Sequence, residues 1–542
     1  MDSPTFADTQ LQGLTPEQRE AVTSPSRRLL VQASAGSGKT HVLTLRIQRR
    51  VAEGEIESEH VLAMTFTRKA GDELRQRLYK AGIRDVEAGT FHRAALKIVT
   101  QFREDNHLAP FTIESHRRRL VLVLVAQLNE TEATRIEEWQ IPRLEQELAW
   151  SLSQGLTGVT YGGAVRSTRR DTPLPARAFS DFLDRYVGLC RSRSVLDFDL
   201  LLIEATNLLR DHPAVLAAFR HRHRALFVDE AQDMNPLQFK LLQQMAGDDP
   251  DLFCVGDKNQ SIYGFNGASP SLLEEIPRTW DHVTMLDLTR NHRSTALIIT
   301  VANTLLEEGA VGITPAREEG EMPLVRAYDT DEEEATHVAS WLRSRFQPGS
   351  PWKSMAVLAR TNAQLTAIET ALTAAAIPVE RRGAEHSPAS DIIGESPARW
   401  TQPDVPNAVA LSTIHRAKGL EWQHVAVVGW AEGVLPSFQA LAEEQRLADG
   451  VLPNSPALAE EQRLAYVALT RAETTLLLTW SRGTQDPRRP PRTASRFLGP
   501  ILAAIAAESA RLSPLPAEQV SERIASMKAK LRAARDAHEN EA

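Results

Sequence analysis

A glycine-rich segment near the N-terminus has the residue types of a phosphate-binding loop. The segment Ala33–Thr40 follows an apolar run, Leu29–Ala33, that predicts a buried strand. Glycines placed after a strand let successive backbone N–H groups surround a phosphate at the start of the next helix. Lys39 would then reach the β- and γ-phosphates and Thr40 would hold Mg²⁺. Because Ala33 stands where the usual pattern has its first glycine, a simple turn before a helix stays an alternative.

Two adjacent carboxylates end a second apolar run, almost two hundred residues later. Leu226–Val228 predicts a strand, and Asp229 and Glu230 follow it directly. One carboxylate can hold Mg²⁺ while the other orients or deprotonates the attacking water in phosphoryl transfer. An isolated pair of this kind is usually a solvated surface pair. In this order after a phosphate loop, however, the pair indicates hydrolysis of a nucleoside triphosphate.

Length and composition limit the kind of protein. The chain has 542 residues, enough for two to four domains, and its formal net charge is −8. Nucleic-acid binding would therefore need local basic and aromatic grooves rather than overall attraction. Cys190 and Cys254 are too few and too far apart for a zinc ribbon or a disulfide framework, which favours a reducing cytoplasm. The N-terminal residues resemble neither a signal peptide nor an anchor, and no run is long enough to span a bilayer.

Further polar and aromatic residues stand at the predicted ends of strands and helices. Thr15 and Pro16 predict a helix start that places Gln18 in the first turn, and a glutamine amide can pair with adenine. Taken singly, such segments are more often ordinary turns or solvated basic faces. The other segments of this kind are Val61–Ala70, Gly89–His92, Leu252–Ala268, Leu288–Thr295, Thr413–Trp422 and Glu461–Glu473.

Together and in this order, these segments resemble the UvrD/Rep/PcrA group of superfamily 1A DNA helicases. The resemblance extends from Leu14 to Leu498, and its closing half is most similar to the actinobacterial UvrD-like branch. It implies an α/β protein with two RecA-like lobes, parallel sheets flanked by helices, and a helical insertion called 1B. It also implies ATP and Mg²⁺ as cofactors and single-stranded or tailed duplex DNA as partner, with movement from 3′ to 5′ in repair or replication.

The resemblance also implies roles for individual residues. Gln18 would read adenine, Glu421 would contact the ribose, and Thr40 and Asp229 would hold the metal. The implied catalytic residues are Lys39, Asp229, Glu230, Gln260, Arg293 and Arg471. The implied nucleotide-binding residues are Gln18, Ala33, Ser34, Ala35, Gly36, Ser37, Gly38, Lys39, Thr40, His41, His292 and Glu421. The implied DNA-binding residues are Phe66, Thr90, His92, Tyr263, Phe265, Arg360, Asn362 and His415.

The sequence departs from the family pattern in three places. These departures concern the coupling of DNA binding to hydrolysis, the affinity for nucleotide and the unwinding of duplex DNA. Asn266 replaces an arginine that is thought to couple DNA binding to hydrolysis. His41 and His292 replace an arginine and a tyrosine that sandwich adenine, which predicts weaker nucleotide binding. The Pro- and Ser-rich segment 384–406 is too short for the helical 2B insertion and predicts a linker. Without 2B, translocation is a firmer expectation than strand separation.

The expected domain order follows from these segments. The first lobe would comprise residues 1–95 and 194–295, interrupted by 1B at 96–193. The second lobe would comprise 296–383 and 407–505, followed by a helical tail at 506–542. Phe179, Leu183, Tyr186 and Cys190 have helical spacing within 1B, whereas Leu120–Ala126 fits a strand or a helix. Four arginines, at 166, 169, 170 and 177, predict a basic loop that either lines a DNA groove or is merely solvated.

Two alternatives to a helicase stay open on sequence alone. A translocase would strip proteins from single-stranded DNA without separating a duplex. A DNA-binding scaffold with a vestigial ATPase is the second alternative. The intact set of catalytic residues disfavours the scaffold, because loss of function would be expected to reach at least one of them.

Overall fold

The computed structural model describes residues 10–131, 135–168, 170–307, 310–381, 407–448, 455–483 and 490–512. Its strands are short, and most of them are buried. In chain order they are β1 Arg28–Ala33, β2 Val61–Thr65, β3 Glu87–Thr90, β4 Thr112–Ile113, β5 Val195–Leu196, β6 Ala225–Val228, β7 Asp251–Gly256, β8 Thr284–Leu288, β9 Arg290–Asn291, β10 Thr314–Pro315, β11 Leu324–Tyr328, β12 Met355–Ala359, β13 Val379–Arg381, β14 Val409–Thr413, β15 Trp422–Val427 and β16 Ala472–Ser481.

Helices connect and flank these strands. In chain order they are α1 Pro16–Thr23, α2 Lys39–Ala52, α3 Arg68–Lys80, α4 Phe91–Asp105, α5 Arg117–Thr131, α6 Ile141–Ser153, α7 Gly158–Thr168, α8 Ala176–Ser192, α9 Phe198–Asp211, α10 Pro213–Arg222, α11 Pro236–Ala246, α12 Leu272–Thr279, α13 Ala296–Asn303, α14 Asp331–Arg345, α15 Asn362–Ala374, α16 Ile414–Ala417, α17 Phe438–Ala448, α18 Pro456–Leu469 and α19 Leu498–Leu512.

The first lobe is built on a parallel sheet with the order β3-β2-β6-β7-β1-β8. Its inner strands β1, β2, β6 and β7 are mostly apolar and buried because helices cover both faces. In a parallel sheet the carboxyl ends of all strands lie at one edge. The phosphate loop after β1, the carboxylates after β6 and the polar turn after β7 therefore meet at that edge.

The second lobe is built on another parallel sheet, with the order β11-β16-β15-β12-β14-β13. Apolar side chains from its strands and flanking helices form two cores on the two faces of the sheet. These two sheets confirm the predicted α/β class with two helix-flanked lobes. Thr413–Trp422, predicted as a basic turn, contains the short helix α16.

Helices α5 to α8 form a separate cluster between β3 and β6. The apolar run Leu120–Ala126, which fitted strand or helix, lies in α5. The four residues with helical spacing from Phe179 to Cys190 lie in α8 and are fully buried, as their spacing predicted. Their side chains pack with those of α5 and α6 in a core of their own.

The predicted basic loop between the last two of these helices is wrong. Arg166 lies in α7 and Arg177 in α8, and residue 169 is outside the described residues. Arg170 Nε donates to the buried carboxylate of Glu147 at 2.7 Å, and its guanidinium lies 4.3 Å from the Trp150 ring centroid. Arg170 thus neutralises a buried acid, and a part of these arginines in DNA binding stays a prediction.

The predicted domain boundaries cross two helices. Helix α4 runs through residue 95, and α19 runs through residue 505. The predicted linker at 384–406 and the tail helix beyond residue 512 lie outside the described residues. None of the described helices combines the length and apolar character needed to cross a bilayer.

Candidate active site

The glycine-rich loop joins β1 to α2 and depends on two left-handed glycines. Gly36 has a φ of +67° and Gly38 a φ of +85°, values that residues with a Cβ adopt only at a cost. A Cβ on Gly36 would also lie 2.5 Å from the side-chain nitrogen of Asn291. Lys39 Nζ donates to the carbonyl oxygen of Ala33 at 3.2 Å. The ammonium group thus lies within the loop, where it can reach a bound phosphate.

Thr40 and Asp229 meet across the edge of the first sheet. Thr40 Oγ1 donates to Asp229 Oδ2 at 2.8 Å, and only 3% of Asp229 is exposed. Burial and the adjacent Glu230 raise the pKa of Asp229 to about 6. A hydroxyl and a carboxylate beside a phosphate loop are the oxygen ligands that Mg²⁺ prefers. The two residues therefore fit the metal predicted for them.

Glu230, the predicted general base, has a left-handed backbone and a carboxylate beside two lysines. Its φ of +52° is left-handed, a strained conformation for a residue with a Cβ. Burial opposes ionisation of Glu230, but the positive charges of Lys418 and Lys39 hold its pKa below the usual value. Lys418 Nζ lies 3.9 Å from Glu230 Oε2. Glu230 is therefore a carboxylate at neutral pH, the form that accepts a proton from water.

A chain of polar contacts runs from the phosphate loop into the second lobe. Lys39 Nζ lies 4.0 Å from Asp257 Oδ2, and Gln260 Nε2 donates to the same oxygen at 2.6 Å. Arg471 Nη2, which belongs to the second lobe, donates to Gln260 Oε1 at 3.1 Å. Burial and the nearby Arg293 lower the pKa of Arg471 to about 9, so its guanidinium stays charged at neutral pH. Arg471 lies just beyond α18 rather than within its end.

The second predicted arginine, Arg293, is held at the same interface. Its Nε donates to Glu421 Oε2 at 2.5 Å, and its Nη1 donates to the carbonyl oxygen of Thr470 at 3.1 Å. Both partners belong to the second lobe. Glu421, the predicted ribose contact, is therefore paired with Arg293 in this structure. Arg293 would have to exchange this partner to reach a phosphate.

The residues predicted to bind adenine lie around the phosphate loop. Gln18 Nε2 donates to the carbonyl oxygen of Ser37 at 2.8 Å, and Gln18 Oε1 accepts from Thr15 N at 3.0 Å. Both ends of this amide are thus already hydrogen-bonded. His41 and His292 are exposed beside the loop, and partial burial lowers the pKa of each below its usual value. Both imidazoles are therefore neutral at pH 7, a form that can stack on a purine.

Four of the predicted DNA-binding residues form one aromatic cluster. The rings of Phe66 and Tyr263 stack with centroids 4.7 Å apart. Phe265 lies 6.1 Å from Tyr263 and 5.6 Å from His415, and it is 51% exposed. Burial and the nearby Arg360 lower the pKa of His415 to about 4. The cluster therefore offers uncharged rings to a base, the kind of contact that single-strand binding uses.

The other predicted DNA-binding residues have structural partners. Thr90 Oγ1 accepts from the backbone N–H of Arg93 at the start of α4. His92 is half-buried, with its ring edge-on to Phe198 at 5.8 Å. Arg360 Nη2 donates to Glu461 Oε1 at 2.8 Å, and the main-chain oxygen of Asn362 accepts from Arg381. The charge of Arg360 acts on His415, so Arg360 lies near the aromatic cluster, whereas the hydrogen bonds and ring contacts of the described residues link none of Thr90, His92 and Asn362 to it.

Lys418 is a site residue that the sequence patterns did not single out. Its Nζ donates to the buried Asp233 and to the main-chain oxygen of Gln260 at 2.6 Å. The same nitrogen lies 5.2 Å from the centroid of the Tyr263 ring. Burial raises the pKa of Asp233 to about 7 in spite of Lys418. The only sequence signal was the position of Lys418 in a basic segment, since its partners come from the other lobe.

Asn291 is a second residue that the sequence analysis missed. It is fully buried, and its Nδ2 donates to the carbonyl oxygen of Ala35 at 2.7 Å. Its Oδ1 accepts from the backbone N–H groups of Arg293, at 2.9 Å, and Ser294, at 2.8 Å. One amide thus fixes the phosphate loop against the segment that carries Arg293.

We expect Asn291→Ala to lower kcat for ATP hydrolysis about 10- to 100-fold, because small displacements of catalytic groups have effects of this size. Asn303→Ala is a matched control. The Asn303 amide makes the same kind of bridge, to both backbone groups of Ile313 at 2.9 Å, but away from the site. The measurement is the steady-state rate of ATP hydrolysis for each variant, divided by the folded fraction that thermal melts give. Equal losses of kcat in both variants would contradict a positioning role for Asn291.

The fold and the site together define a P-loop NTPase with its catalytic groups contributed by two lobes. The chain matches the UvrD/REP helicase N-terminal domain over residues 14–281. It also matches the UvrD-like helicase C-terminal domain over residues 286–386 and 396–483. These matches cover most of the chain, and the protein therefore belongs to the UvrD/Rep helicase family.

Curated relatives agree with this assignment. The chain is 30% identical over 615 residues to the ATP-dependent DNA helicase UvrD2 of Mycobacterium tuberculosis (strain H37Rv), covering 94% of this chain and 84% of the relative. It is 32% identical over 399 residues to UvrD1 of the same strain, covering 69% and 50%. It is 31% identical over 384 residues to DNA helicase II of Escherichia coli K12, covering 68% and 51%.

Proposed function

We propose that this member of the UvrD/Rep helicase family, an ATP-dependent DNA helicase, moves 3′ to 5′ along single-stranded DNA in repair or replication. One observation carries the proposal. The segment Gln260–Phe265 bears Gln260, which contacts the arginine of the opposite lobe, and Tyr263 and Phe265, which form the aromatic cluster. The nucleotide site and the base-stacking rings are therefore only a few residues apart.

The side chains of the site have complementary roles in ATP hydrolysis. Lys39 binds the β- and γ-phosphates, and Thr40 and Asp229 hold Mg²⁺, which supplies neutralising charge when bound. Glu230 takes the proton of the attacking water, and Gln260 orients the γ-phosphate. Arg293 and Arg471 stabilise the charge that develops on the transferred group.

Movement along DNA follows from the contacts between the lobes. Gln260 and Arg293 in the first lobe contact Arg471 and Glu421 in the second. Binding and hydrolysis of ATP change the charge at this interface, so the lobes close and open with each cycle. The aromatic cluster would bind stacked bases and release them as the lobes close and open. Stacking on a ring accepts every base, so binding is independent of sequence.

The proposal includes the compartment and the DNA substrate. Cys190 and Cys254 are both buried free thiols, which suits the reducing cytoplasm. Single-stranded and 3′-tailed duplex DNA are the proposed partners. Strand separation depends on whether the segment 384–406, which lies outside the described residues, can take the place of a 2B domain.

A combined assay of hydrolysis and unwinding tests this function. ATP hydrolysis would be measured with and without single-stranded DNA, beside Lys39→Ala, and followed by unwinding of 3′- and 5′-tailed duplexes. We expect stimulation by DNA and unwinding of the 3′-tailed duplex alone. Stimulation without unwinding would identify a translocase, and removal of streptavidin from biotinylated single strands would test that. No stimulation would contradict the motor, and Asn266→Arg would then test whether the missing arginine is the cause.

We expect Phe265→Ala to raise the DNA concentration for half-maximal stimulation about 5- to 150-fold, because one base stack contributes roughly 1–3 kcal/mol. Phe346→Ala is the matched control. Phe346 is 45% exposed and its ring stacks on Trp352 at 4.2 Å, but it lies on the second lobe outside the aromatic cluster. If the two variants required the same DNA concentration as the wild type, base stacking on Phe265 would be ruled out.

A further inference from the structure

The base-stacking segment, Gln260–Gly267, is held from the second lobe by two side chains on the first two turns of α18. Glu460 Oε1 accepts from the backbone N–H of Gly264 at 3.0 Å. Arg463 Nε donates to the main-chain oxygen of Ser261 at 2.8 Å. Both contacts are to backbone atoms, so they constrain the path of the chain. That path determines where Tyr263 and Phe265 present their rings.

The same helix also reaches the nucleotide site. Arg471 follows its C-terminal end by two residues and donates to Gln260, the residue directly before Ser261. Glu461, beside Glu460, accepts from Arg360 at 2.8 Å. Helix α18 and Arg471 just beyond it thus contact the segment at Gln260, beside the nucleotide site, and at Gly264, beside the stacking rings. A rigid helix that is joined to both contacts moves the two points together.

The opposite side of the segment is packed against the helical insertion. Gly267 approaches the last residue of α6 so closely that a Cβ on it would overlap the Ser153 hydroxyl. Asn266, next to it, is exposed and makes no side-chain hydrogen bond to a described residue. The segment is therefore confined between the insertion and α18. Any displacement of α18 on closure of the lobes is transmitted to the stacking rings rather than absorbed by the loop.

We propose that Glu460 and Arg463 are positioning residues that hold the base-stacking segment in its gripping geometry and transmit movement of the second lobe to it. The inference rests on the proposed function. The family pattern has an arginine at the position of Asn266, and the polar pair on α18 takes over its coupling role here. Glu460 and Arg463 act on the DNA through Tyr263 and Phe265, without touching the reacting phosphate.

Three substitutions test the role of Glu460. Glu460→Ala removes the acceptor for Gly264 N–H, and the DNA concentration for half-maximal stimulation is expected to rise about tenfold. The KM for ATP should change less than twofold. Glu460→Gln keeps an acceptor oxygen and is expected to restore most of the DNA response. Glu332→Ala is the matched control, because Glu332 is an exposed acid in α14 of the same lobe.

A second readout reports the stacking directly. Fluorescence of 2-aminopurine in a bound oligonucleotide is quenched when the base stacks on a ring, so Glu460→Ala should reduce this quenching at saturating DNA. Arg463→Ala removes the other contact, the donor to the main-chain oxygen of Ser261, and is expected to act in the same direction. This variant also replaces Glu460→Ala in the assays if Glu460→Ala has too low a thermal midpoint to stay folded. A merely structural role would lower stability without changing the quenching.

The possible outcomes separate this inference from the proposed function. If DNA does not stimulate the wild type, the motor itself fails. If DNA stimulates the wild type and both Glu460→Ala and Arg463→Ala behave like Glu332→Ala, only the positioning role is overturned. Loss of DNA response in Glu460→Gln equal to that in Glu460→Ala would also overturn it, since the amide retains the hydrogen bond.

Discussion

Arg471→Ala is expected to lower DNA-stimulated kcat for ATP hydrolysis by about 10³-fold or more, the range measured for arginines that stabilise a transferring phosphoryl group. Arg471 is almost fully buried and donates to Val467 O, Leu420 O and Gln260 Oε1. The planar guanidinium group of Arg471 donates to these three acceptors at once, whereas the single ammonium nitrogen of a lysine cannot reach all of them. We therefore expect Arg471→Lys to recover little of the rate. Steady-state hydrolysis at saturating ATP and DNA measures the effect.

Arg46 provides a matched control for the loss of a buried arginine. It is 2% exposed and donates to the carbonyl oxygens of Ala21 at 2.9 Å, Ser24 at 3.0 Å and Ser26 at 2.6 Å, away from the site. Arg46→Lys should lower the thermal midpoint but leave kcat per folded molecule within a few-fold of wild type. A kcat for Arg471→Lys within tenfold of wild type would rule out Arg471 as a transition-state contact.

Glu230→Gln is expected to lower kcat about 10³-fold while nucleotide still binds. A positioned general base contributes roughly 10²–10⁴ in rate, and glutamine has the same size but accepts no proton. Lys418 and Lys39 keep the pKa of Glu230 low, so the wild type is already ionised at neutral pH. Titration with a fluorescent ATP analogue should give a Kd within a few-fold of wild type, and single-turnover hydrolysis should show the loss.

Glu334→Gln is the matched control for the loss of a buried carboxylate. Glu334 lies in the second lobe, is 6% exposed, and accepts from Thr479 Oγ1 at 2.6 Å and from the backbone N–H of Gly429 at 3.1 Å. We expect Glu334→Gln to lower the thermal midpoint of unfolding and to leave kcat for ATP hydrolysis unchanged. Undiminished single-turnover hydrolysis in Glu230→Gln would assign proton acceptance to another group, and Asp233, which is buried beside Lys418, would be examined next.

The elements that carry the site were predictable from short stretches of sequence. Apolar runs ending in polar residues predicted β1, β6 and β7, and the structure has strands at these places. Thr15 and Pro16 predicted the start of α1, which begins at Pro16 with Thr15 as its cap. These features depend on neighbouring residues in the chain, so a single sequence contains the information for them.

Other contacts could not be predicted, because a short stretch of sequence does not determine its distant partners. Arg166 and Arg177, predicted to share a basic loop, lie in α7 and α8, and Arg170 is bound to Glu147, 23 residues earlier. Glu421, whose ribose contact stays a prediction, is paired in this structure with Arg293, 128 residues away. In both cases an acid and a base that are distant in the chain come together on folding, and burial strengthens their attraction.

The sequence by itself determined the class of chemistry, the order of the strands along the chain and the residue types proposed to bind phosphate, metal and DNA. Only the tertiary structure decided which of those residues meet. Thr40 reaches Asp229 across 189 residues, and Glu460 reaches Gly264 across 196. Such contacts arise because parallel strands bring their carboxyl ends to one edge and because two separate sheets face each other there. Local pattern predicts each element, whereas packing of the two lobes makes the site.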